Sequence, residues 1–313
     1  MTGMIEKVLR PFLFVFFKIF LKLPGHRKIM RPFANRFIGG ETLDEAIEKG
    51  KELAARGFSL TFAYVGEESR DVNAAREAEL AYISLIDRIN EEKLPADIAI
   101  KRSQFNCFST SDRYFPLLKR VVKRASHYRM RVWFDAEKLE NQEVTISLGD
   151  YLHKHYGNIG MVLQSYARNA MTFLIKQVIP PVRAHDLPPA LRVCKGAYHE
   201  PKSLVFRKNS EINSNFRKMV VLISTATKSF LQIATHEVQL SQWSLNALVS
   251  ERGSESGEIG MLCGVEEKTA EELKAQGKKI RIYLVFGEPW DNFVARRLIE
   301  KPRYIKYLFK TSS

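Results

Sequence analysis

The sequence predicts an α/β protein built as a (β/α)8 TIM-type barrel with an N-terminal helical arm. Two observations carry that prediction. From residue 58 to residue 286, short apolar runs of strand character alternate with helix-length amphipathic segments, and the runs number eight. The competing architecture, an open doubly wound sheet, is marked by G-x-G-x-x-G or G-x-x-x-x-G-K after a strand, and neither motif occurs.

Composition narrows the class of partner. The chain has 313 residues, 45% hydrophobic and 27% charged, which is globular rather than disordered composition. Lys and Arg exceed Asp and Glu by 49 to 35, a net charge of +14. Such a surface favours anionic partners: an acidic membrane face or phosphate-bearing ligands. Nucleic acid is not expected, because no RNP or zinc-finger pattern accompanies the charge. Cys107, Cys194 and Cys263 lie far apart with no C-x-x-C spacing. They form neither a disulfide framework nor a metal site, which places the chain in a reducing cytoplasm.

In chain order, residues 1–56 form the arm. Residues 10–24, RPFLFVFFKIFLKLP, are apolar except for Lys18 and Lys22, which share a helix face. The stretch is shorter than the roughly 20 residues a bilayer span needs. No small-residue cleavage site follows it at Leu23-Pro24-Gly25-His26, so it is not read as a secretory signal. Two readings stay open: a helix lying in the membrane interface, or one docked on the protein's own body. The basic run His26, Arg27, Lys28, Arg31 and Arg36 favours the first, and with it a peripheral position on the cytoplasmic face of the inner membrane. Residues 42–56 read as an amphipathic helix with a capping box at Thr42.

The barrel is assigned to residues 57–300 and a basic tail to 301–313. Its predicted strands are 58–65, 97–101, 131–135, 159–164, 191–195, 230–235, 258–263 and 280–286, with helices at 112–127, 167–178, 211–227, 238–250 and 267–276. The last unit, IRIYLVFGEPWDNFVARRLIE at 280–300, is a buried strand followed by a helix. Pro289 is predicted in the first helical turn, where a missing N–H has no intrahelical partner anyway. That helix carries Arg296 and Arg297, adjacent guanidinium groups suited to a small carboxylate.

A buried parallel strand is expected to be apolar throughout. Here the runs end on reactive groups: Glu67, Lys101, Asp135 with Glu137 beyond, Gln164, Lys195, and Thr235-His236, while the eighth holds Tyr283. In a barrel these ends meet at one face, where active sites of the fold lie. His153 and His155 are two apart, share no helix face, and are predicted to be solvent-exposed. No metal-ligand cluster, nucleophile elbow or Cys/His pair is present. Two chemistries remain open on this reading. Lys101 or Lys195 forms a Schiff base, or the cations hold an anionic cofactor and a carboxylate substrate.

The strand ends resemble the proline dehydrogenase family, flavin-dependent (β/α)8 barrels. VGEE at 65–68 is similar to the family's LGEE turn, and IAIKRSQF at 98–105 to its IKLSQL strand. VWFDAE at 132–137 resembles VxxDxE, and GMVLQSY at 160–166 resembles VLQAY. LRVCKGAYHE at 191–200 is similar to RLVKGAYWE, the most specific match. IATHE at 233–237 resembles IATHN, MLCG at 261–264 resembles MLYG, and 280–300 resembles YxPYGxxWxxYxxRRxxE.

The resemblance implies FAD-dependent oxidation of L-proline to Δ1-pyrroline-5-carboxylate by hydride transfer, with electrons passed to a membrane quinone. The substrate carboxylate would sit on Arg296, Arg297 and Lys101. Glu67 would pair with one arginine, and Asp135 would orient the arginine fork. Tyr283 and Leu262 would pack on the ring and Tyr198 would wall the pocket. FAD would be held by Gln164, Arg192, Lys195, Gly196, Ala197, Ala234, Thr235, His236 and Glu300.

Departures mark where the chain differs from the family. Phe293 stands where a tyrosine lines the substrate site, which motivates an alternative substrate, hydroxyproline or another cyclic secondary amine. His199 replaces a tryptophan, Glu237 an asparagine, and Gly260 stands where a glutamate is common. Val285 takes the place of the family's strand-end proline or its neighbour. A carboxylate at Glu237 beside FAD phosphates is unfavourable unless it is paired. Two further alternatives drop the flavin: a Schiff-base aldolase or lyase, and a non-catalytic basic barrel that binds membrane or an anionic partner.

Overall fold

A computed structural model describes residues 12–66 and 71–300; Glu67 and the 301–313 tail lie outside the described residues, as does the side chain of Glu300. The arm consists of α1 (residues 12–20), α2 (His26–Phe37), β1 (Ile38–Gly40) and α3 (Leu43–Ala55). The barrel follows: β2 (Ser59–Tyr64), α4 (Val72–Glu91), β3 (Ala96–Ile100), α5 (Phe115–His127), β4 (Val132–Phe134), α6 (Gln142–Tyr156) and β5 (Ile159–Gln164). Next come α7 (Ala170–Phe173), which runs through a π turn into α8 (Ile179–Arg183), then β6 (Ala190–Cys194), α9 (Asn209–Ala226) and β7 (Leu231–Ala234). The chain closes with α10 (Val238–Arg252), β8 (Gly257–Leu262), α11 (Glu267–Ala275), β9 (Ile280–Phe286) and α12 (Asp291–Glu300).

All eight predicted strands form, as β2 to β9, each parallel to the next, and β9 pairs with both β2 and β8 to close the cylinder. Pairing of β8 with β9 ends at Tyr283. Beyond it β1 takes the vacated edge, at Val285 and Phe286, so the arm adds a ninth strand at the mouth. The capping box at α3 is present, with Thr42 accepting from the Glu45 N–H.

Side chains alternate along each strand with period two. Leu60, Phe62, Ile98, Ile100, Leu191, Val193, Ile259 and Ile282 belong to the large core that α3 to α11 cover. The other set points into the barrel, where Ala63, Val65, Ala99, Trp133, Val162, Ala190 and Val285 form a small cluster of their own. Among them sit buried Asp97, Arg192, Gln232 and Glu258. The strands are therefore not apolar throughout, as the sequence suggested: only their outer faces are. Gly160 makes room for the indole, since a Cβ there would lie 2.3 Å from the Trp133 ring.

A second apolar cluster joins the arm to α12: Phe17, Met30, Ala34 and Phe37 pack with Trp290, Val294 and Leu298. Helix α1 thus docks on the body through Phe17, with Leu13, Phe20 and Leu21 beside it, while Phe14, Val15, Phe16 and Ile19 stay more than half exposed. Among the described residues no helix is long and apolar enough to cross a membrane.

Two local expectations are corrected. Helix α12 starts at Asp291, not at Glu288-Pro289; the turn before it is held by the Trp290 indole, which donates to Glu41 at 3.0 Å. His155 is exposed as expected, but His153 is buried. Its ring bonds the Leu187 carbonyl at 2.8 Å and accepts the Ile159 N–H at 3.2 Å, pinning the end of α6 to the start of β5. Burial pushes its pKa down, which favours the neutral ring that these bonds require.

Candidate active site

The C-terminal ends of β2 to β9 open on a cavity of about 1230 Å³. Every predicted site residue whose side chain is described lines it: Lys101, Asp135, Gln164 and Arg192; Lys195, Gly196, Ala197 and Tyr198; Ala234, Thr235 and His236; Leu262, Tyr283, Phe293, Arg296 and Arg297. The volume exceeds the ~300–1,000 Å³ of an ordinary small-molecule cleft.

Arg192 is held on three sides within it. Its Nη1 donates to Asp135 Oδ1 at 2.9 Å, its Nε donates to Gln232 Oε1, and its guanidinium lies 4.3 Å from the Trp133 ring centre. Nη2 is buried and has no hydrogen-bond partner among the described residues. An unmet buried donor costs roughly 1–3 kcal/mol, a cost that an acceptor from a ligand would offset. Asp135 also accepts from the Tyr283 hydroxyl at 2.5 Å. Burial, and then the Asp135 charge, hold the Tyr283 pKa well above its ordinary value, so the phenol stays a donor. Asp135 therefore bonds both Arg192 and Tyr283.

Behind Arg192 runs a polar chain that sequence reasoning missed. Gln232 Nε2 donates to Glu258 Oε1 at 2.7 Å, which also accepts from Arg281 Nε at 2.5 Å. Arg281 pairs with Asp97 at 3.3 Å, and the Trp133 indole donates to the same carboxylate at 3.1 Å. Gln232 is bonded at both ends, so its amide has one orientation. Gly260 gives it space: a Cβ at that position would stand 3.0 Å from the Gln232 amide carbon and oxygen. The signal was present in the sequence as a polar or aromatic residue at the second position of β4, β7, β8 and β9 (Trp133, Gln232, Glu258 and Arg281) and at the third of β6 (Arg192).

On the substrate side, Lys101 Nζ lies 3.4 Å from the Gly66 carbonyl. The Arg297 guanidinium sits 5.2 Å from the Phe293 ring centre, so the phenylalanine supports the fork by a cation–π contact. Helix α12 is tied to the arm at its start: Asp291 accepts from His26 at 2.9 Å and from Arg27 at 3.1 Å, and Arg27 reaches Glu288 at 3.0 Å. The arm thus holds the helix that carries both arginines.

On the opposite rim, Gln164 Nε2 donates to the Glu137 carbonyl at 2.9 Å. His236 Nε2 accepts the Leu262 N–H at 2.9 Å, which leaves the ring proton on Nδ1. Glu237 is paired, as an anion there must be: Lys195 donates to it, and so does Asn213 at 2.7 Å. His199 is exposed and lies outside the cavity wall. Val285, by contrast, lines the cavity.

Arginines and lysines thus surround a cavity whose deepest carboxylate, Asp135, is already bonded to Arg192 and Tyr283. That arrangement binds anions. Among the described residues no group of His, Cys, Asp and Glu is placed to hold a metal ion.

Comparison with known proteins agrees with this geometry. A family model described as "Proline dehydrogenase" matches residues 46–302. Proline dehydrogenase 2 of Bacillus subtilis (strain 168) is 26% identical over 301 residues, covering 96% of this chain and 96% of that protein. Proline dehydrogenase of Deinococcus radiodurans is 26% identical over 283 residues, 88% of this chain and 89% of that one. Among solved structures, proline utilization A from Bdellovibrio bacteriovorus superposes with a TM-score of 0.78 at 19% identity over 88% of this chain. The Bradyrhizobium japonicum protein gives 0.73 at 25% identity over 91%. This chain spans 33% and 32% of those longer chains.

Proposed function

The chain belongs to the proline dehydrogenase family, and on that premise we propose that it oxidises L-proline to Δ1-pyrroline-5-carboxylate, with FAD as hydride acceptor and a quinone as the final one. The observation that supports this best is Arg192, a buried guanidinium with one unpartnered nitrogen, in the same cavity as Arg296, Arg297 and Lys101. One cation is fitted to a cofactor, and three to a carboxylate.

FAD supplies the two-electron acceptor for the hydride that leaves the ring carbon next to nitrogen. Arg296, Arg297 and Lys101 bind the proline carboxylate. Leu262 and the Tyr283 ring pack against the pyrrolidine, and Tyr198 walls it. Asp135 keeps Arg192 and the Tyr283 hydroxyl in place, so the site is arranged before substrate enters. Gln164, Lys195, the Gly196-Ala197 turn, Ala234, Thr235 and His236 hold the rest of the cofactor. A Schiff base at Lys195 is poorly supported, because its ammonium is ion-paired with Glu237 rather than desolvated.

The quinone and a peripheral place on the cytoplasmic face of the membrane rest on α1. Its outer face exposes Phe14, Val15, Phe16 and Ile19, flanked by Lys18 and Lys22. An apolar face fringed by lysines suits an anionic lipid surface.

A second reading keeps the flavin and changes the amine. Phe293 brings no hydroxyl to the substrate wall, and a ring bearing its own hydroxyl has more room there. Dye-coupled turnover of L-proline and of trans-4-hydroxy-L-proline tests both readings. A kcat/KM at least a hundredfold higher for L-proline is expected. Comparable values would favour the second reading, and no turnover of either would contradict both.

A further inference from the structure

We propose that Glu237 is a built-in counter-ion that competes with the phosphates of FAD for Lys195, and so sets how tightly this chain holds its cofactor. The proposal rests on the flavin reading above.

Lys195 follows β6 at the rim, and Glu237 precedes α10; both line the cavity. The Lys195 ammonium donates to Glu237 Oε2. Asn213, from α9, donates to Glu237 Oε1 at 2.7 Å. The Glu237 N–H donates in turn to Thr235 Oγ1 at 3.2 Å. The carboxylate is thus bonded on both oxygens, and the Asn213 bond holds it in place when Lys195 turns to another anion.

The consequence is electrostatic. Lys195 is the only lysine on this rim among the described residues that line the cavity, and its charge is cancelled locally by Glu237. A pyrophosphate brings further negative charge to the same spot. It must share the ammonium with a tethered carboxylate, and it is repelled by that carboxylate from a few ångströms away. Glu237 is 42% exposed, so water and salt weaken the repulsion without removing it. Replacing the charge by an amide of the same shape keeps the Asn213 bond and releases Lys195.

The test measures FAD affinity, not turnover. The full chain is stripped of flavin and titrated with FAD by fluorescence quenching, as wild type, Glu237→Gln, Lys195→Met and the double variant. Glu237→Gln should lower Kd about tenfold, with a steeper dependence of Kd on salt. Lys195→Met should raise Kd only about two- to threefold in the wild type, but about tenfold or more in the Glu237→Gln background, a non-additivity that marks direct coupling. Unchanged or weaker FAD binding by Glu237→Gln would overturn the proposal and make Glu237 a cofactor ligand or a bystander; additive effects would overturn it as well. If none of the four proteins binds FAD, the flavin reading itself falls, and this proposal with it.

Discussion

Arg192 and Asp135 come from strands separated by β5, and they meet with Nη1 donating to Oδ1 at 2.9 Å inside the barrel mouth. Breaking one member of such a buried pair leaves the other charge without compensation. Asp135→Asn turns an amide toward either Arg192 or Tyr283, both donors. It should lower kcat/KM for proline about a hundredfold with little change in circular dichroism. Tyr283→Phe removes only one neutral donor and should cost about fivefold. Steady-state kinetics on the two variants checks the order as well as the sizes.

The Arg296–Arg297 pair makes a separate prediction. Arg297→Met should raise KM for proline at least tenfold while flavin content stays unchanged, because one arm of a carboxylate clamp is lost. Arg297→Lys should recover little of it, since a point charge does not replace a planar fork stacked on Phe293. An unchanged KM would remove Arg297 from substrate binding.

Gly260 and Gln232 test the chain behind Arg192. Gly260→Val places branched carbons where Gln232 now lies and should push that amide off Arg192. The expectation is a kcat lowered about tenfold, KM within about twofold, and a stability loss of roughly 1–3 kcal/mol. Parallel kinetics and urea unfolding separate the effects; equal loss in kcat and in folded fraction would make the network purely structural.

The tie between the arm and α12 is pH-sensitive. A hydrogen bond with Asp291, then one with the Leu23 carbonyl, raises the His26 pKa. On Asp291, burial opposes the bonds from His26 and Arg27, and the bonds win, so its pKa is lowered. The His26 contribution is present in full below its unfolded value of about 6.5 and is lost as pH rises through the raised folded value. The Asp291 contribution is present above about 3.9 and is lost as pH falls through the lowered one. Wild type should be less stable at about pH 9 than at about pH 6, on the order of 0.5 kcal/mol. His26→Gln should flatten that difference in urea midpoints.

The strands were legible in the sequence because their outer faces are continuous apolar series and their ends are polar. The interior chain was not. Gln232 and Arg281 each interrupt an apolar run once, and a parallel strand taken to be apolar on both faces leaves no place for them. Nor was the Lys195–Glu237 pair visible, since contact between loops of neighbouring units is a product of closure. The start of α12 was misread because Pro289 suits a first helical turn as well as the bend before one. His153 was misread because the buried stripe of α6 is wide enough to include neighbouring positions.

The outer face of α1 predicts binding to lipid. Val15→Glu with Ile19→Glu alters exposed positions only (56% and 61%) and leaves the ring contacts of Phe16, Phe17 and Phe20 intact. Sedimentation with anionic liposomes should fall at least fivefold while dye-coupled activity is kept; unchanged sedimentation would rule out this face.

The most direct test of the whole account is the visible absorption spectrum of the purified full-length protein before and after anaerobic addition of L-proline. The account predicts an oxidised-flavin spectrum that bleaches on addition of proline, and that bleaches far less in Asp135→Asn over the same time. A flavin band that proline leaves untouched would contradict the substrate assignment, and a protein that neither carries nor takes up FAD would contradict the assignment of the cavity itself.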